Sequence, residues 1–406
     1  MMKIGIIKET KCPVDNRVAL APEQIVALQK RYPQVEFLVQ RSEIRAYHDD
    51  EYEALGITLT DDVTGCDVLF GIKEADISTL IPGKHYVFFG HIAKKQPYNQ
   101  PLIRAMAAKG LTFSDYEYFV DEDNVRLCAF GWWAGVVGAY NSFRAYGLKT
   151  GRFELPKPDL KFTMEKLLEG LSGIAPYCDC RIVVTGNGRV SHGAQHVLEH
   201  MHAVRLSPED FLNRDEKAGG LVYTVLTLED LVAPVDQEKC FDREEFRNAP
   251  SSYRSAFARY ARKADMLVSC HFWAPGQPVY VDEDLLRDPD MKIRVIGDIT
   301  CDIKGSILST VRSSTHDEPF YDFDPVRMEE CEAFSPGDTI TVMAVDTCPN
   351  ALALDTSRYF GETLSEHVLP LIIEGRMDDP VMQRATILKD GMLTERYGYL
   401  KDYAGL

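Results

Sequence analysis

The chain has 406 residues, of which 45% are hydrophobic and 26% are charged, a balance typical of globular proteins with about two domains. Its formal net charge of −17 argues against nonspecific nucleic-acid binding, which needs a basic surface. No apolar run is long enough to span a bilayer, and the N-terminus has a charged strand pattern without a signal-peptide core. We therefore expect a cytoplasmic protein with neither a membrane partner nor a nucleic-acid partner.

The first 146 residues alternate between strand and helix patterns. The predicted strands are 3–8, 36–40, 66–73, 86–91 and 111–114, and the predicted helices are 22–31, 50–55, 101–109 and 129–146. This alternation predicts an α/β domain with a mainly parallel sheet. Ligands of such sheets bind beyond the carboxyl ends of the strands. Lys73 and His91 stand at two of those ends.

A glycine turn in the middle of the chain is the strongest cofactor signal. Residues 181–195 read Arg-Ile-Val-Val-Thr-Gly-Asn-Gly-Arg-Val-Ser-His-Gly-Ala-Gln, which is typical of a strand, a tight turn and a helix. Such a turn holds a dinucleotide pyrophosphate at the helix N-terminus, although an ordinary strand–turn–helix is the alternative. The predicted cofactor-binding residues of the turn are Gly186, Gly188, Arg189, Val190 and Ser191.

The position of this turn, about 180 residues into the chain, predicts an inserted nucleotide domain. A helix is predicted over 162–171 and strands over 266–269 and 293–298. A return starts over 337–344, and a long helix is predicted over 355–374 that runs back to the first domain. We therefore predict two Rossmann-like α/β domains with parallel sheets and an active-site cleft between them. Residues 1–140 plus 340–406 form the predicted substrate domain, and 141–339 form the predicted NAD(P)-binding domain.

Lys73 and His91 are candidates for acid–base catalysis. A lysine desolvated at a strand end can have its pKa lowered toward neutrality, and histidine titrates near neutrality by nature. Hydride transfer at an amine or imine carbon requires such proton movement. The alternative is that Lys73 is a surface residue and His91 a structural histidine.

Charged residues near these two could bind substrate. The guanidinium of Arg17 or Arg126 can hold a carboxylate through two hydrogen bonds, although either residue could instead form a surface ion pair, Arg17 with Asp15 or Glu23. The predicted acidic candidates are Glu74, Glu117, Asp298 and Asp302. Glu74 and Glu117 could orient a lysine or bind an ammonium group, or could be solvated loop residues. Asp298 and Asp302 could orient the nicotinamide carboxamide or a substrate amine, or could be turn aspartates.

His192, His196 and His200 recur every four residues, a spacing that two metal ligands on a helix can share. The glutamate of a zinc-binding H-E-x-x-H motif is missing, so we expect no metal site.

Several segments share the pattern of one superfamily. They are Lys8-Glu-Thr-Lys11, Asn16-Arg-Val-Ala-Leu20, Gly71-Ile-Lys73, Phe88-Phe-Gly-His91 and Ala129-Phe-Gly-Trp-Trp-Ala-Gly135. These segments resemble the alanine dehydrogenase/transhydrogenase N-terminal domain superfamily. Within it, segments 45–52, 185–195, 297–307 and 385–400 are similar to the saccharopine-forming enzymes. That group comprises fungal saccharopine dehydrogenases and the lysine–ketoglutarate reductase half of aminoadipic semialdehyde synthase.

The resemblance implies a reaction and a set of roles. The lysine ε-amine and 2-oxoglutarate would form an imine, and hydride from a nicotinamide would reduce it to saccharopine, with Lys73 and His91 as the acid–base pair. The implied substrate-binding residues are Arg17, Glu74, Glu117, Arg126 and Asp302. The alternatives are an alanine dehydrogenase-type enzyme and a non-catalytic nucleotide-binding regulator.

The cofactor preference is predicted from the segment 203–210. The acidic residue that usually binds the ribose 2′-hydroxyl is not obvious there, and Ser207 stands near its place with Arg205 close by. These two residues favour tolerance of a 2′-phosphate, so we predict NADP rather than NAD.

Overall fold

The computed structural model describes residues 1–214 and 219–406. The chain divides into two compact units, the first formed by Met1–Phe130 with Leu352–Leu406 and the second by Gly131–Ala351. The second unit is therefore inserted into the first along the chain. The predicted boundaries at residues 140 and 340 both lie inside the second unit.

The helices and strands follow in chain order. Those of the first segment are β1 (Met2–Ile6), α1 (Pro22–Arg31), β2 (Val35–Gln40), α2 (Asp49–Ala54), β3 (Thr58–Thr60), β4 (Val68–Phe70), β5 (His85–Phe88), α3 (Gln100–Ala108) and β6 (Thr112–Asp115). Those of the second unit are α4 (Gly131–Thr150), α5 (Met164–Ile174), β7 (Arg181–Thr185), α6 (Arg189–His200), β8 (Val204–Leu206), α7 (Pro208–Asn213), β9 (Val222–Leu226), α8 (Leu228–Leu231), β10 (Val232–Pro234), α9 (Arg243–Asn248), β11 (Tyr253–Ser255), α10 (Ala258–Ala261), β12 (Met266–Ser269), α11 (Glu283–Leu286), β13 (Val295–Asp298), β14 (Phe320–Asp324), β15 (Glu329–Cys331) and β16 (Ile340–Met343). Those of the last segment are α12 (Ala353–His367), α13 (Leu369–Ile373), α14 (Pro380–Ala385), β17 (Thr386–Lys389), β18 (Met392–Leu393) and α15 (Lys401–Ala404).

The first unit is built on an eight-stranded sheet in the order β18-β17-β6-β5-β4-β1-β2-β3. The six strands from β6 to β3 are parallel, and β17 pairs with β6 antiparallel. The second strand in the chain lies on one side of β1 and the fourth lies on the other. This change of direction beside β1 is where open α/β sheets bind their ligands, beyond the carboxyl ends of the strands.

The second unit has its own eight-stranded sheet, in the order β15-β14-β16-β13-β12-β7-β9-β8. Here too six strands are parallel, and an antiparallel pair extends one edge. The predicted pair of Rossmann-like α/β domains is confirmed. Within the described part of the chain, no helix is both long enough and apolar enough to cross a membrane.

Helix α1 shows how the local sequence determines an element. Pro22 occupies the first helical position, where its missing N–H costs nothing, and the Ala21 N–H donates to Gln24 Oε1 at 2.9 Å. Lys30 and Arg31 lie in the last turn, where positive charge is favourable. The prediction for this helix, 22–31, is confirmed to the residue.

The prediction of one continuous helix over 355–374 is wrong. The structure has two helices, α12 and α13, separated at Val368. Pro370 has no N–H to donate to the preceding turn, and its ring crowds the carbonyl four residues earlier. The interruption at this proline follows from that missing hydrogen bond.

Helices α4 and α6 approach each other closely at two glycines. A Cβ on Gly135 would lie 1.8 Å from Val190 O, and one on Gly193 would lie 1.9 Å from Trp132 O. Because these neighbours are main-chain atoms, no side chain could turn aside to make room. The Gly-rich sequence of α4 therefore serves helix–helix packing against the helix that follows the glycine turn.

Candidate active site

Four neighbouring strands of the first unit deliver the candidate residues to one edge of the sheet. Glu9, Lys73 and His91 each stand three residues after the ends of β1, β4 and β5, and Glu117 stands two residues after β6. These strands are adjacent and parallel in the order β6-β5-β4-β1. Lys73 and His91 therefore lie in short segments beyond the strands, whereas the sequence placed them within the strands themselves.

Glu117 is the centre of a charged cluster. Its side chain is only 3% exposed, and its Oε1 accepts hydrogen bonds from Lys94 Nζ at 2.9 Å and from Arg126 Nη2 at 3.0 Å. His91 Nδ1 lies 3.3 Å from the other oxygen, Oε2, which accepts no aligned hydrogen bond from the described residues. Burial alone would raise the pKa of Glu117, but His91 and Lys94 outweigh burial and lower that pKa to about 2. Glu117 is therefore a carboxylate at neutral pH.

Asp115, at the end of β6, fixes both members of the His91–Glu117 pair. It is fully buried, and its two oxygens accept hydrogen bonds from the Gly90 N–H at 3.2 Å and from the Glu117 N–H at 2.9 Å. Burial raises the pKa of Asp115 to about 7. The next residue after Gly90, His91, has a left-handed backbone with φ of +50°, a conformation that non-glycine residues adopt rarely. Asp115 thus holds the backbone on both sides of the contact.

Glu9 holds the segment that carries Lys73. Its two carboxyl oxygens accept hydrogen bonds from the Ile72 N–H at 2.6 Å and the Lys73 N–H at 2.8 Å. Burial and the neighbouring Asp15 carboxylate raise the pKa of Glu9 to about 8. The positive charge of Lys73 in turn helps to lower the pKa of Asp15. Lys73 therefore stands among buried acidic groups rather than as an isolated surface residue.

Arg17 does not present a free guanidinium fork. Its Nε and Nη2 donate to the two oxygens of Asp15 at 2.9 and 2.5 Å, and both side chains are less than 5% exposed. The guanidinium also lies 4.3 Å above the ring of Phe130. The ion pair with Asp15 that the sequence allowed is present, but it is buried. A substrate carboxylate would have to bind through the edge of Arg17 that Asp15 leaves uncovered.

Glu74 lies next to Lys73 in the chain and is nearly buried. Its Oε2 accepts a hydrogen bond from Lys11 Nζ at 2.5 Å, and its Oε1 is buried and accepts none from the described residues. Among the described residues, Glu74 Oε1 therefore has no donor, and Glu117 Oε2 has only the 3.3 Å contact with His91 Nδ1. Buried acceptors of this kind can be satisfied by water or by a ligand.

The glycine turn of the second unit has the shape that a pyrophosphate needs. Gly186 has φ of +83°, and a Cβ there would lie 2.8 Å from Cys270 O, so only glycine fits. Gly188 caps α6, and the space that its missing side chain leaves has no atom within 4 Å. Arg189 and Val190 open the twelve-residue helix, whose first N–H groups lack intrahelical acceptors. These residues fit a dinucleotide.

Ser191, the third position of the turn, is fully buried and accepts a hydrogen bond from Gln195 Nε2 at 3.0 Å. Two of the three predicted stripe histidines on α6, His196 and His200, make local contacts, while His192 is exposed. His196 lies 5.1 Å from the Trp132 ring, and His200 Nε2 is 2.8 Å from Ser172 Oγ. Across residues 1–214 and 219–406, no group of three or more His, Cys, Asp or Glu side chains could hold a metal ion.

Asp298 proves to be an internal anchor. It is fully buried, with Oδ1 accepting from the Thr300 hydroxyl at 2.6 Å and Oδ2 from the Thr310 hydroxyl at 2.7 Å. Both carboxylate oxygens of Asp298 are thus engaged by the loop that follows it, and its role at the cofactor stays a prediction. Asp302, in that loop, is partly exposed, and burial together with the charge of Asp298 raises its pKa.

Arg205 and Ser207 lie at the second strand of this unit, as predicted, but that strand is not the neighbour of the glycine-turn strand. Arg205 is on β8, which forms the edge of the sheet, and β9 separates β8 from the glycine-turn strand β7. The Ser207 hydroxyl is engaged with Asp210 Oδ2 at 2.7 Å. The basis for predicting NADP from these residues is therefore wrong, because sequence order does not determine which strand is the neighbour.

Three residues of the site were not predicted as such: Glu9, Lys94 and Asp115. Glu9 lies within the Lys-Glu-Thr-Lys motif, but no spacing rule links it to Lys73, 64 positions later. Asp115 did carry a signal, because an acidic residue that ends an apolar strand usually has internal donors.

The family described as "Alanine dehydrogenase/PNT, N-terminal domain" matches residues 5–137. The chain is 29% identical to "Alpha-aminoadipic semialdehyde synthase" of Arabidopsis thaliana over 98% of this chain and 41% of that protein. It is 26% identical to "Saccharopine dehydrogenase [NAD(+), L-lysine-forming]" of Neurospora crassa over 94% of each. The resemblance to the saccharopine-forming group is confirmed.

The solved structure of an L-alanine dehydrogenase matches with a TM-score of 0.65 and 16% identity, covering 99% of both chains, so it supports the fold. The chain spans less than half the length of the alpha-aminoadipic semialdehyde synthases it matches. The saccharopine dehydrogenases of fungi, in contrast, are matched over nearly their whole length.

Proposed function

We propose that this chain is an NAD(P)-dependent oxidoreductase acting on CH–NH bonds, of the saccharopine dehydrogenase type. It would interconvert saccharopine with lysine plus 2-oxoglutarate, so its partners would be an amino acid and a 2-oxo acid. The observation that carries the proposal is the pair of buried carboxylates, Glu74 and Glu117. Among the described residues, none donates to Glu74 Oε1, and Glu117 Oε2 has only His91 Nδ1 at 3.3 Å. An amine-bearing substrate supplies such donors, and Lys73 and His91 adjoin the two carboxylates in the chain or in space.

The cations around Glu117 favour a substrate with several carboxylates. Lys94 and Arg126 share one buried carboxylate oxygen while their own side chains remain 53% and 45% exposed. Each can therefore bind a substrate carboxylate without leaving Glu117. Saccharopine carries three carboxylates and alanine one, so this arrangement favours the larger substrate over the alanine dehydrogenase alternative.

The chain's own residues account for proton movement. Forming and collapsing a carbinolamine requires a proton donor and acceptor near the amine, and a histidine or lysine at the edge of a buried carboxylate cluster suits this task. The Glu117 carboxylate lies 3.3 Å from His91 Nδ1 and orients that ring, and Glu9 fixes the backbone of Lys73. The bound nicotinamide supplies or accepts the hydride. Glu117 and Glu74 would hold the substrate nitrogen through their unused oxygens.

The test follows NADH and NADPH absorbance, first with lysine plus 2-oxoglutarate and then with pyruvate plus ammonia. We expect turnover with the first pair. Lys73→Met and His91→Gln should each lower kcat by about 10²-fold or more while circular dichroism stays unchanged. Turnover with pyruvate and ammonia alone would favour the alanine dehydrogenase type. Nucleotide binding without turnover of either pair would indicate a regulator.

The polycarboxylate argument has a matched test in two adjacent lysines. Lys94→Met should raise the KM for 2-oxoglutarate, because the Lys94 ammonium group, hydrogen-bonded to Glu117, is a proposed partner of a substrate carboxylate. Lys95→Met should leave it unchanged, because Lys95 lies 5.3 Å from the ring of Tyr399 instead. Equal effects of the two substitutions would contradict the assignment of Lys94.

A further inference from the structure

The last segment of the first unit contains a cavity of about 1200 Å³. The turn before helix α14, α14 itself, strand β17 and the residues that follow β18 line this cavity. Ligand pockets usually have volumes of about 300–1,000 Å³, so the space is ample for a metabolite larger than a single amino acid. Neither Lys73 nor His91 nor Glu117 lines the cavity, which is therefore distinct from the candidate active site.

Charged residues of both signs line this cavity. They are three cations, Arg384, Lys389 and Arg396, and two carboxylates, Asp378 and Glu395. Among the residues that the structure describes, none of the five forms an ion pair within 4 Å, and only Arg384 makes side-chain hydrogen bonds. Opposite charges that share a cavity without pairing leave both signs available to a ligand.

The charges specify a class of ligand. Three cations and two carboxylates give the cavity a net charge of +1, although the whole chain carries −17. An amino acid with an excess of one carboxylate over its ammonium groups complements this arrangement. Met377 and Pro380 add an apolar part of the wall, against which methylene groups can pack.

Saccharopine has this charge composition. Reductive joining of lysine to 2-oxoglutarate leaves three carboxylates, the α-ammonium group of lysine and a new secondary ammonium group. The molecule therefore carries a net charge of −1 at neutral pH, and its carboxylates and ammonium groups equal in number the cations and carboxylates of the cavity. Lysine, with a net charge of +1, lacks this complementarity.

Arg384 connects the cavity to the candidate active site. Its Nε and Nη2 donate to Val120 O at 3.1 and 2.7 Å. Val120 pairs antiparallel with Arg126, and Arg126 Nη2 donates to Glu117 Oε1 at 3.0 Å. A carboxylate that draws the guanidinium of Arg384 into the cavity would compete with Val120 O and loosen the hairpin that carries Arg126.

We propose that this cavity is a second binding site for an amino acid with several carboxylates, of which saccharopine is the example, and that its occupancy inhibits the candidate active site through Arg384. Lys389 and Arg396 would bind carboxylates of the ligand, and Asp378 and Glu395 would bind its ammonium groups. The choice of saccharopine rests on the proposed function, whereas the charge class follows from the cavity alone.

The first experiment titrates saccharopine calorimetrically into the full chain carrying Glu117→Gln, which weakens the candidate active site, in 0.15 M NaCl. We expect saccharopine to bind this variant, and Lys389→Met with Arg396→Gln to weaken the binding by at least about tenfold. Lys401→Met is the matched control, because Lys401 is exposed and does not line the cavity. Equal effects of the cavity substitutions and the control would overturn the proposal.

A change of sign distinguishes an amino-acid site from a general anion site. Glutarate has two carboxylates and no nitrogen. In the same titration, Glu395→Gln should weaken saccharopine binding, because a partner of an ammonium group is lost, and should strengthen glutarate binding, because a negative charge is removed. Stronger binding of both compounds would show a site for anions in general and would contradict the proposed ligand class.

Steady-state kinetics test the connection through Arg384. Added saccharopine should inhibit turnover of lysine plus 2-oxoglutarate less strongly when Lys389→Met and Arg396→Gln are introduced into the otherwise unmodified chain. Turnover without added saccharopine should stay unchanged, because neither residue belongs to the candidate active site. Identical inhibition of the two proteins would refute the connection.

The two proposals fail in different ways. Saccharopine binding that depends on Lys389 and Arg396, without turnover of lysine plus 2-oxoglutarate, would remove the proposed reaction and leave the cavity in its role. Turnover together with binding that is indifferent to these two residues would overturn the second site alone. Absence of both would overturn both proposals. Melting curves of each variant distinguish a lost affinity from a lost fold.

Discussion

Replacing Glu117 by glutamine tests the electrostatics of the candidate site through stability. The Glu117 pKa of about 2 lies some 2.5 units below its ordinary value of 4.5. At about 1.4 kcal/mol per pKa unit, the folded state favours the Glu117 carboxylate by ~3 kcal/mol. We therefore expect Glu117→Gln to lower the free energy of unfolding at pH 7 by up to that amount, since the glutamine amide carries no charge for Lys94, Arg126 and His91.

The stabilisation by the Glu117 carboxylate depends on pH in a definite direction. Because the folded-state pKa is lowered, the stabilisation is fully present above about pH 4.5 and is lost as the pH falls toward 2. The difference between the original chain and Glu117→Gln should therefore shrink steadily over that interval.

Urea unfolding followed by far-ultraviolet circular dichroism is the appropriate assay. All three tryptophans, Trp132, Trp133 and Trp273, lie in the second unit, so tryptophan fluorescence reports on the unit that lacks Glu117. Glu122→Gln is the control. Glu122 lies on the exposed loop that follows Glu117 in the chain, and its substitution should change the free energy of unfolding by less than about 0.5 kcal/mol. A destabilisation by Glu117→Gln that stays constant from pH 7 to pH 3 would refute the reasoning.

Three further substitutions, one of them with a control variant, test the supporting structure. Burial raises the pKa of Asp115 to about 7, so the original chain should lose stability relative to Asp115→Asn as the pH rises from 4 to 7. Melting curves of the two proteins measured over this range check the expectation, and a constant difference in melting temperature would contradict it. Gly135→Ala should lower the free energy of unfolding by ~1–3 kcal/mol or prevent folding, because the new Cβ meets a main-chain oxygen. Gly173→Ala in α5 is the control and should be neutral or stabilising, because no atom lies within 4 Å of its new Cβ. Thermal unfolding compares the two variants directly. Lys149→Met leaves the fully buried Asp322 without its 2.7 Å partner and should destabilise the second unit by ~3–5 kcal/mol, which tryptophan fluorescence in urea would detect.

Elements with a strong local signal were predictable. Helix α1 has a proline at its start and basic residues at its end, and strand β12 is a short apolar run, so both were predicted to the residue. The strand predicted over 66–73 shrinks to Val68–Phe70, because Glu9 takes the N–H groups of Ile72 and Lys73 out of the sheet pattern. That exchange depends on a residue 64 positions away, and periodicity cannot reveal it.

Side-chain chemistry was predictable by type and less so by partner. Lys73 and His91 were expected at strand ends, and each stands three residues beyond its strand. The structure also brings His91 to Glu117. Arg17 was expected to hold a substrate, yet its guanidinium already donates two hydrogen bonds to Asp15, two residues before it. The error at Arg205 and Ser207 has another cause. Strand order in a sheet is a tertiary property, and β8 precedes β9 in the chain while lying outside it in the sheet.

The antiparallel pairing of β17 with β6 has a consequence for synthesis. Strand β6 ends at Asp115, which fixes the candidate site, but its partner Thr386–Lys389 is translated only after the entire second unit. During that interval the outer edge of β6 carries unpaired N–H and C=O groups, which other strands can recruit. We expect nascent chains stopped before Thr386 to bind chaperones through the first unit, and release to coincide with emergence of β17.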